Sequence, residues 1–230
     1  VPSLVTLSEI REEAAERADM ENSNFVNSAE LLRYINRSYA KLYDLLIQAY
    51  PDYFTKTKPF SFSVNTTDRF YRLPGDFYKL RGVDLVSSNT KSITLKPFMF
   101  EERNRYSEPV IWGFEGTAYI RYRITGNKIE FVPQNATTAQ IELWYLPTAP
   151  KLETDTDTID GINGWEEFVI LDAAIKMVTK EESDPSALMA QKAEFKRDLE
   201  IIAASRDLGQ TERVSDVRRT SNYSYDGYFY

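Results

Sequence analysis

Apolar positions recur at helical spacing in four stretches of the chain and at strand spacing in the region between the second and third. From Thr6 to Ala18, Leu7, Ile10 and Ala14 share one face, with Glu9, Glu12 and Glu13 in the early turns and Arg17 late, as the helix macrodipole favours. From Ser28 to Tyr50 the stripe Leu31, Ile35, Leu42 and Leu46 is joined by Leu32, Tyr39 and Ala49. Asn27 and Glu30 have capping-box spacing in front of it, and Pro51 ends it. A helix of about 22 residues, roughly 33 Å long, is expected there. Phe168, Leu171, Ile175 and Val178 mark one face of a third helix that follows Gly164. Asp184 and Pro185 read as an N-cap followed by proline at the first helical position, and open a fourth. Its stripe of Leu188, Phe195, Leu199 and Ile202, with Ala187, Ala190, Ala193 and Ala203 beside it, can lie antiparallel on the third helix. Together they predict a helical hairpin ending near Arg206.

Between Lys58 and Pro147 the period falls toward two. Phe60, Phe62 and Val64 alternate with Ser61 and Ser63, and the turn residues Asn65 to Asp68 precede Tyr71 to Pro74, which predicts a hairpin. Phe77 to Val86 and Ile93 to Leu95 are further strands, and Phe98 to Arg105 reads as a short helix on the sheet surface. Ala118 to Ile124 and Lys128 to Val132 flank Gly126-Asn127, a two-residue type II′ turn, and Gln140 to Leu146 adds another strand. Some six to eight short antiparallel strands of this kind make a small sandwich or barrel.

The fold class expected is therefore α+β. Residues 1–57 and 148–206 form a helical bundle, 58–147 an inserted antiparallel β-sandwich or barrel, and 207–230 an extended C-terminal arm. Pro147, Pro150 and the acidic run Glu153 to Asp157 read as the return linker. Past Arg206 the chain lacks helical periodicity, yet Tyr223, Tyr225, Tyr228, Phe229 and Tyr230 crowd its end, and Arg218 and Arg219 precede them. Aromatic side chains on a polar terminus suit docking on another subunit, because tyrosine and phenylalanine are favoured anchors in buried interfaces.

Composition narrows the function. The chain has no cysteine and no histidine, so thiolate metal sites, cysteine nucleophiles and Ser-His-Asp catalysis are excluded, and no enzymatic role or cofactor is expected. A net charge of −7 argues against general nucleic-acid binding, which rests on cationic neutralisation of phosphate, but suits a wall past which DNA slides. Apolar runs are too short to span a bilayer, no signal-peptide layout opens the chain, and a cytoplasmic protein is expected, Val1 suggesting an initiator methionine either removed or left out of the sequence. Asp155, Asp157 and Glu166 fit positions 1, 3 and 12 of a calcium loop, but Ile159 and Asp160 fail it at the fifth and sixth, so a solvated acidic loop and no metal site is the reading. Trp112 and Trp144 offer an alternative, a carbohydrate-binding or tail-associated β-module of a virion, although aromatics also pack well in strands.

Four phrases in order, Leu31 to Asn36, Leu73 to Asp84, Ile141 to Leu152 and Gly164 to Asp184, resemble the head-to-tail adaptor (neck or connector) proteins of tailed bacteriophages. The likeness covers most of Leu31 to Leu199. It implies a structural virion protein of the phage neck, assembled in the host cytoplasm, in a ring of typically twelve self-associated subunits under the portal protein. It further implies a tail or nozzle component as the next partner, genomic DNA passing through the lumen without specific binding, and a C-terminal segment that grips the portal.

Overall fold

The computed structural model describes residues 4–21, 25–56, 58–65, 67–88, 91–104, 120–132, 139–160 and 164–204. Four helices, α1 (Leu7–Arg17), α2 (Ser28–Ala49), α3 (Glu166–Lys180) and α4 (Ser186–Ala204), stand on either side of a β region in the sequence. The fold is mixed α+β, as expected.

Local chemistry starts and stops the helices. Thr6 and Glu9 close a capping box at α1, the Glu9 carboxylate accepting from the Thr6 backbone N–H at 2.7 Å. Asn27 caps α2 through Glu30 N–H at 2.8 Å, and Asp184 accepts from Ser186 N–H at 3.0 Å where α4 begins. The ends of α1 and α3 carry no such signal in their residue types. Asp19 (φ 55°) and Glu182 (φ 62°) take the left-handed conformation that usually falls to glycine. Met20 N–H then reaches Ala15 O at 2.9 Å and Ser183 N–H reaches Val178 O at 3.2 Å, a Schellman closure at both ends.

α3 is the centre of the helical region. Phe168 to Ala174 are all buried, as are Met177 and Val178, so α3 is enclosed nearly all round through its first two turns rather than on the single face expected. α1, α2 and α4 pack around it, with Leu7, Ile10, Ile35, Leu42, Leu199 and Ala203 in the same core. The stripe expected on α4 is narrower than its sequence suggests. Leu199 and Ala203 are buried and Leu188 and Phe195 half-buried, but Ala187, Ala190, Ala193 and Ile202 are exposed. Alanine is too small to signal a buried face, because it fits either side of a helix.

The β region holds β2 (Phe60–Val64), β3 (Phe70–Arg72), β4 (Phe77–Ser88), β5 (Lys91–Thr94), β6 (Lys96–Pro97), β7 (Arg121–Thr125), β8 (Lys128–Val132) and β9 (Ala139–Pro147). They form two four-stranded sheets, β2-β9-β4-β5 and β3-β8-β7-β6. Val64, Val83, Leu85, Ile141 and Leu143 from the first share a core with Ile129 and Phe131 from the second and with Leu73, just past β3. Among the described residues neither sheet closes into a barrel.

Three expectations are corrected here. β2 and β3 do not form a hairpin with each other: β2 pairs with β9 and β3 with β8, so the Asn65–Asp68 turn carries the chain from one sheet to the other. Tyr71 stabilises that crossing, its hydroxyl accepting from Asn65 N–H at 2.8 Å and donating to Asp68 O at 2.9 Å. The strands are not all antiparallel, since β6 runs parallel to β7. The short helix expected from Phe98 to Arg105 is, among the described residues, a three-residue 3₁₀ helix, Phe100–Glu102, and Arg105 lies outside them. The β7–β8 hairpin stands as expected, with Thr125 opposite Lys128 and Gly126 at φ 59°, the positive value a type II′ turn requires at its first central residue.

The return segment is also more than a linker. β1 (Leu4–Thr6) pairs with β10 (Thr158–Asp160), a two-stranded sheet missed in the sequence because each strand has only three residues. Leu7 N–H donates to Asp157 O at 2.8 Å, so the acidic loop supplies partners for the first turn of α1. Asn36 on α2 holds the same segment at two points, donating to Leu152 O at 3.0 Å and accepting from Leu152 N–H at 2.9 Å.

Candidate functional site

The residues singled out for portal docking, Arg218, Arg219, Tyr223, Tyr225, Tyr228, Phe229 and Tyr230, lie outside the described residues, which end with α4. So does Trp112. Trp144 is half-buried on β9 with its indole N–H on the Asp84 carboxylate at 3.0 Å, so it braces β4 against β9. The acidic loop is committed internally. Asp157 accepts from Glu153 N–H at 2.6 Å, Thr154 N–H at 2.9 Å and the Thr154 hydroxyl at 2.7 Å, while Asp155 pairs with Arg11 of α1. Glu167 pairs with Arg17 at 2.8 Å, and among the described residues no three acidic side chains are placed to hold a metal ion.

Those hydrogen bonds hold the Asp157 carboxyl down at about 2, the backbone N–H of Glu153 contributing most. The group has a depressed folded-state value, so its stabilisation is complete above the ordinary carboxylate value near 4 and is lost as pH falls from about 4 to about 2. Urea midpoints measured across that window are expected to fall less steeply for Asp157→Ala than for the natural chain. Equal slopes would mean the loop carries no titrating contact.

The most unusual charge arrangement lies where α2, α3 and α4 meet. Asp172 of α3 is only 3% exposed, yet it faces three ammonium groups: Lys176 at 2.6 Å, Lys41 at 3.3 Å, and Lys192 of α4. Ser38, fully buried on α2, completes the cluster, 2.8 Å from Asp172 and accepting from Lys176 at 2.7 Å. Its single hydroxyl proton is shared between Asp172 and Tyr34 O, also at 2.8 Å. Burial by itself would raise the Asp172 carboxyl, but hydrogen bonds from Lys176, Lys192 and Ser38 outweigh it and keep the group well below the usual range. Burial pulls Lys176 down against the pull of Asp172.

Lys41 and Lys192 of this cluster also line the surface above it. A groove of about 250 Å³ runs over Lys41, Asp44, Leu45, Phe168, Lys192 and Lys196, and the Lys192 ammonium lies 5.1 Å from the Phe168 ring centre. A neighbouring groove of similar size lies over Ile175, Met189, Lys192, Ala193 and Lys196. In a chain of net charge −7, Lys41, Lys192 and Lys196 line these two grooves with Asp44, and Glu200 pairs with Lys196 at 3.6 Å. The other side of the helical region is acidic. A larger groove, about 660 Å³, has Ala15, Met20, Val26, Leu31 and Met177 along its apolar floor and Glu12, Glu16 and Glu21 at its rim.

The helices are tied to the β region by polar contacts around a small apolar joint of Tyr43, Ile47 and Leu146. The Tyr43 hydroxyl donates to Pro147 O at 2.7 Å and Tyr78 donates to Asp44 at 2.7 Å. Arg81 pairs with Asp52, and Lys56 reaches both Asp76 at 2.6 Å and the Tyr145 hydroxyl at 2.8 Å. Each carboxylate of this joint, Asp44, Asp52 and Asp76, is held by a cation or a phenol.

Among the described residues no helix is long and apolar enough to cross a membrane. A search of curated proteins finds no match. A family described as SU10 adaptor protein matches residues 5–220, which takes in all four helices, every strand of both four-stranded sheets and the grooves above. The chain therefore belongs to the SU10 adaptor protein family, a family of bacteriophage adaptors, and is a structural component of the virion.

Proposed function

We propose that this protein is the head-to-tail adaptor of a tailed bacteriophage, forming a ring beneath the portal that joins the capsid to the tail and lines the DNA exit channel. The observation that carries the reading is the family match over residues 5–220, which spans nearly the whole chain. The net charge of −7 agrees with a wall that does not hold DNA, and the jointed helical and β regions agree with a rigid spacer between two assemblies. In this reading residues 1–57 and 148–206 act as a helical bundle, 58–147 as a sandwich domain offered to neighbours or to the tail or nozzle component, and 207–230 as the arm. Tyr223, Tyr225, Tyr228, Phe229 and Tyr230 anchor the arm in portal pockets, with Arg218 and Arg219 beside them. The ring has twelve copies in the neck of the particle.

Co-sedimentation with the portal ring of the same virus tests this, comparing the full chain with one ending at Arg206 and counting subunits per ring. A full complement that is lost on truncation is the expected result. Binding by both versions would remove the arm from the account, and binding by neither would remove the portal as the partner.

A further inference from the structure

We infer that the basic face of α4 docks into the acidic groove between α1 and α2 of a second copy of this chain. The inference rests on the ring reading above and names the surfaces that build the ring. Met189 is 56% exposed on the outer side of α4, with Ala193 one turn on and Lys196 beside them. Beside Ile175 of α3 they line a shallow groove, and along α4 they form an exposed apolar ridge with a cationic flank, where Lys196 also pairs with Glu200 at 3.6 Å. The α1–α2 groove is its complement, an apolar floor of Ala15, Met20, Val26 and Leu31 with Glu12 and Glu16 at the edge. Methionine suits such a fit, since its unbranched side chain adapts to irregular apolar hollows. Lys196 then meets glutamates, and opposite potentials fix both the choice of partner and the register.

One copy cannot bring these surfaces together itself. On α3, Glu167 points to α1, where it pairs with Arg17, and Asp172 points to α4, where it pairs with Lys192. Five residues along a helix turn about 140° at 3.6 residues per turn, so α1 and α4 flank α3 from well-separated directions. Two unlike, complementary faces on one subunit can make a head-to-tail contact, which closes into a ring when the rotation permits.

Charge exchange on the full chain tests this. Lys196→Glu and Glu16→Lys change exposed side chains, and circular dichroism confirms that each variant folds. Self-association is read by sedimentation velocity on the free chain and by the number of subunits bound on portal rings. Each variant alone is expected to associate at least about tenfold more weakly than the natural chain, and an equal mixture of the two to recover, because each then offers the charge the other needs. Met189→Asp is expected to weaken association with no rescue by either. Unchanged association of the single variants, a mixture no better than its parts, or a chain monomeric in both settings overturns the inference. Portal binding is scored separately, so a chain that fails to bind the portal yet shows charge rescue refutes the adaptor docking and leaves this interface standing.

Discussion

Replacing Asp172 by alanine is expected to lower the stability of the folded chain by about 3 kcal/mol, the low end of the cost of breaking a buried ion pair. The low end applies because Lys41 is 56% exposed at its side chain and Lys176 and Lys192 are 23% exposed, so the abandoned ammonium groups can turn partly to water. Ser38 cannot, being fully buried, and it loses one of its two acceptors. At roughly 2–4 °C per kcal/mol for a chain of this length the midpoint should fall by about 6–12 °C. Asp172→Asn keeps an acceptor and should cost less. The joint change Asp172→Leu with Lys176→Met should recover much of the loss, since an apolar pair needs no counter-charge. If the joint variant were no better than Asp172→Ala, the damage would come from packing and not from stranded charge. The carboxyl is held below the usual range, so its contribution is complete at neutral pH and is withdrawn only in strong acid.

In the β region the largest loss is expected at Phe131. It is 1% exposed on β8, where its ring lies 5.8 Å from Tyr71 and 6.3 Å from Phe62, centre to centre. These three rings join the two sheets, since Phe62 belongs to the β2-β9-β4-β5 sheet and the other two to the facing one. Phe131→Ala should cost about 3–5 kcal/mol through lost burial and an unfilled cavity. Tyr71 would lose the support that keeps its hydroxyl on the Asn65–Asp68 crossing. Phe131→Leu retains most of the volume and should cost less than half as much. A loss under about 1.5 kcal/mol for the alanine variant, read by urea denaturation, would show that the two sheets collapse together around the vacancy.

Both sites draw on residues far apart in the sequence, which is where the legibility of local pattern stops. The helix starts were legible because capping is local: Thr6 with Glu9, Asn27 with Glu30, and Asp184 with Ser186 all lie within three residues of one another. The hairpin at Gly126 was legible for the same reason. The pairing of β2 with β9 was not, since Phe60 and Leu143 are joined only by a register that many strands of similar pattern would satisfy. The closures at Asp19 and Glu182 were hidden because neither residue is the glycine that announces a left-handed end.

The candidate surfaces divide in the same way. The family was readable from phrases of neighbouring residues, and the lack of cysteine and histidine removes whole classes of chemistry on composition alone. Asp172 carried no signal of its own, because an aspartate inside an apolar helix run looks like any solvated position until Lys41, Lys176, Lys192 and Ser38 arrive from three helices to surround it. Met189 likewise reads as one more apolar residue of α4, and only the packing of that helix on α3 leaves it facing outward. The four helices, the strand-rich middle and the phage adaptor family are all readable from the chain alone, since capping, periodicity and motif phrases act over a few residues. Which strands pair, which carboxylate is buried among lysines and which apolar side chains remain for a partner depend on contacts between different elements, such as Ser38 with Asp172 at a separation of 134 residues, and these no local pattern encodes.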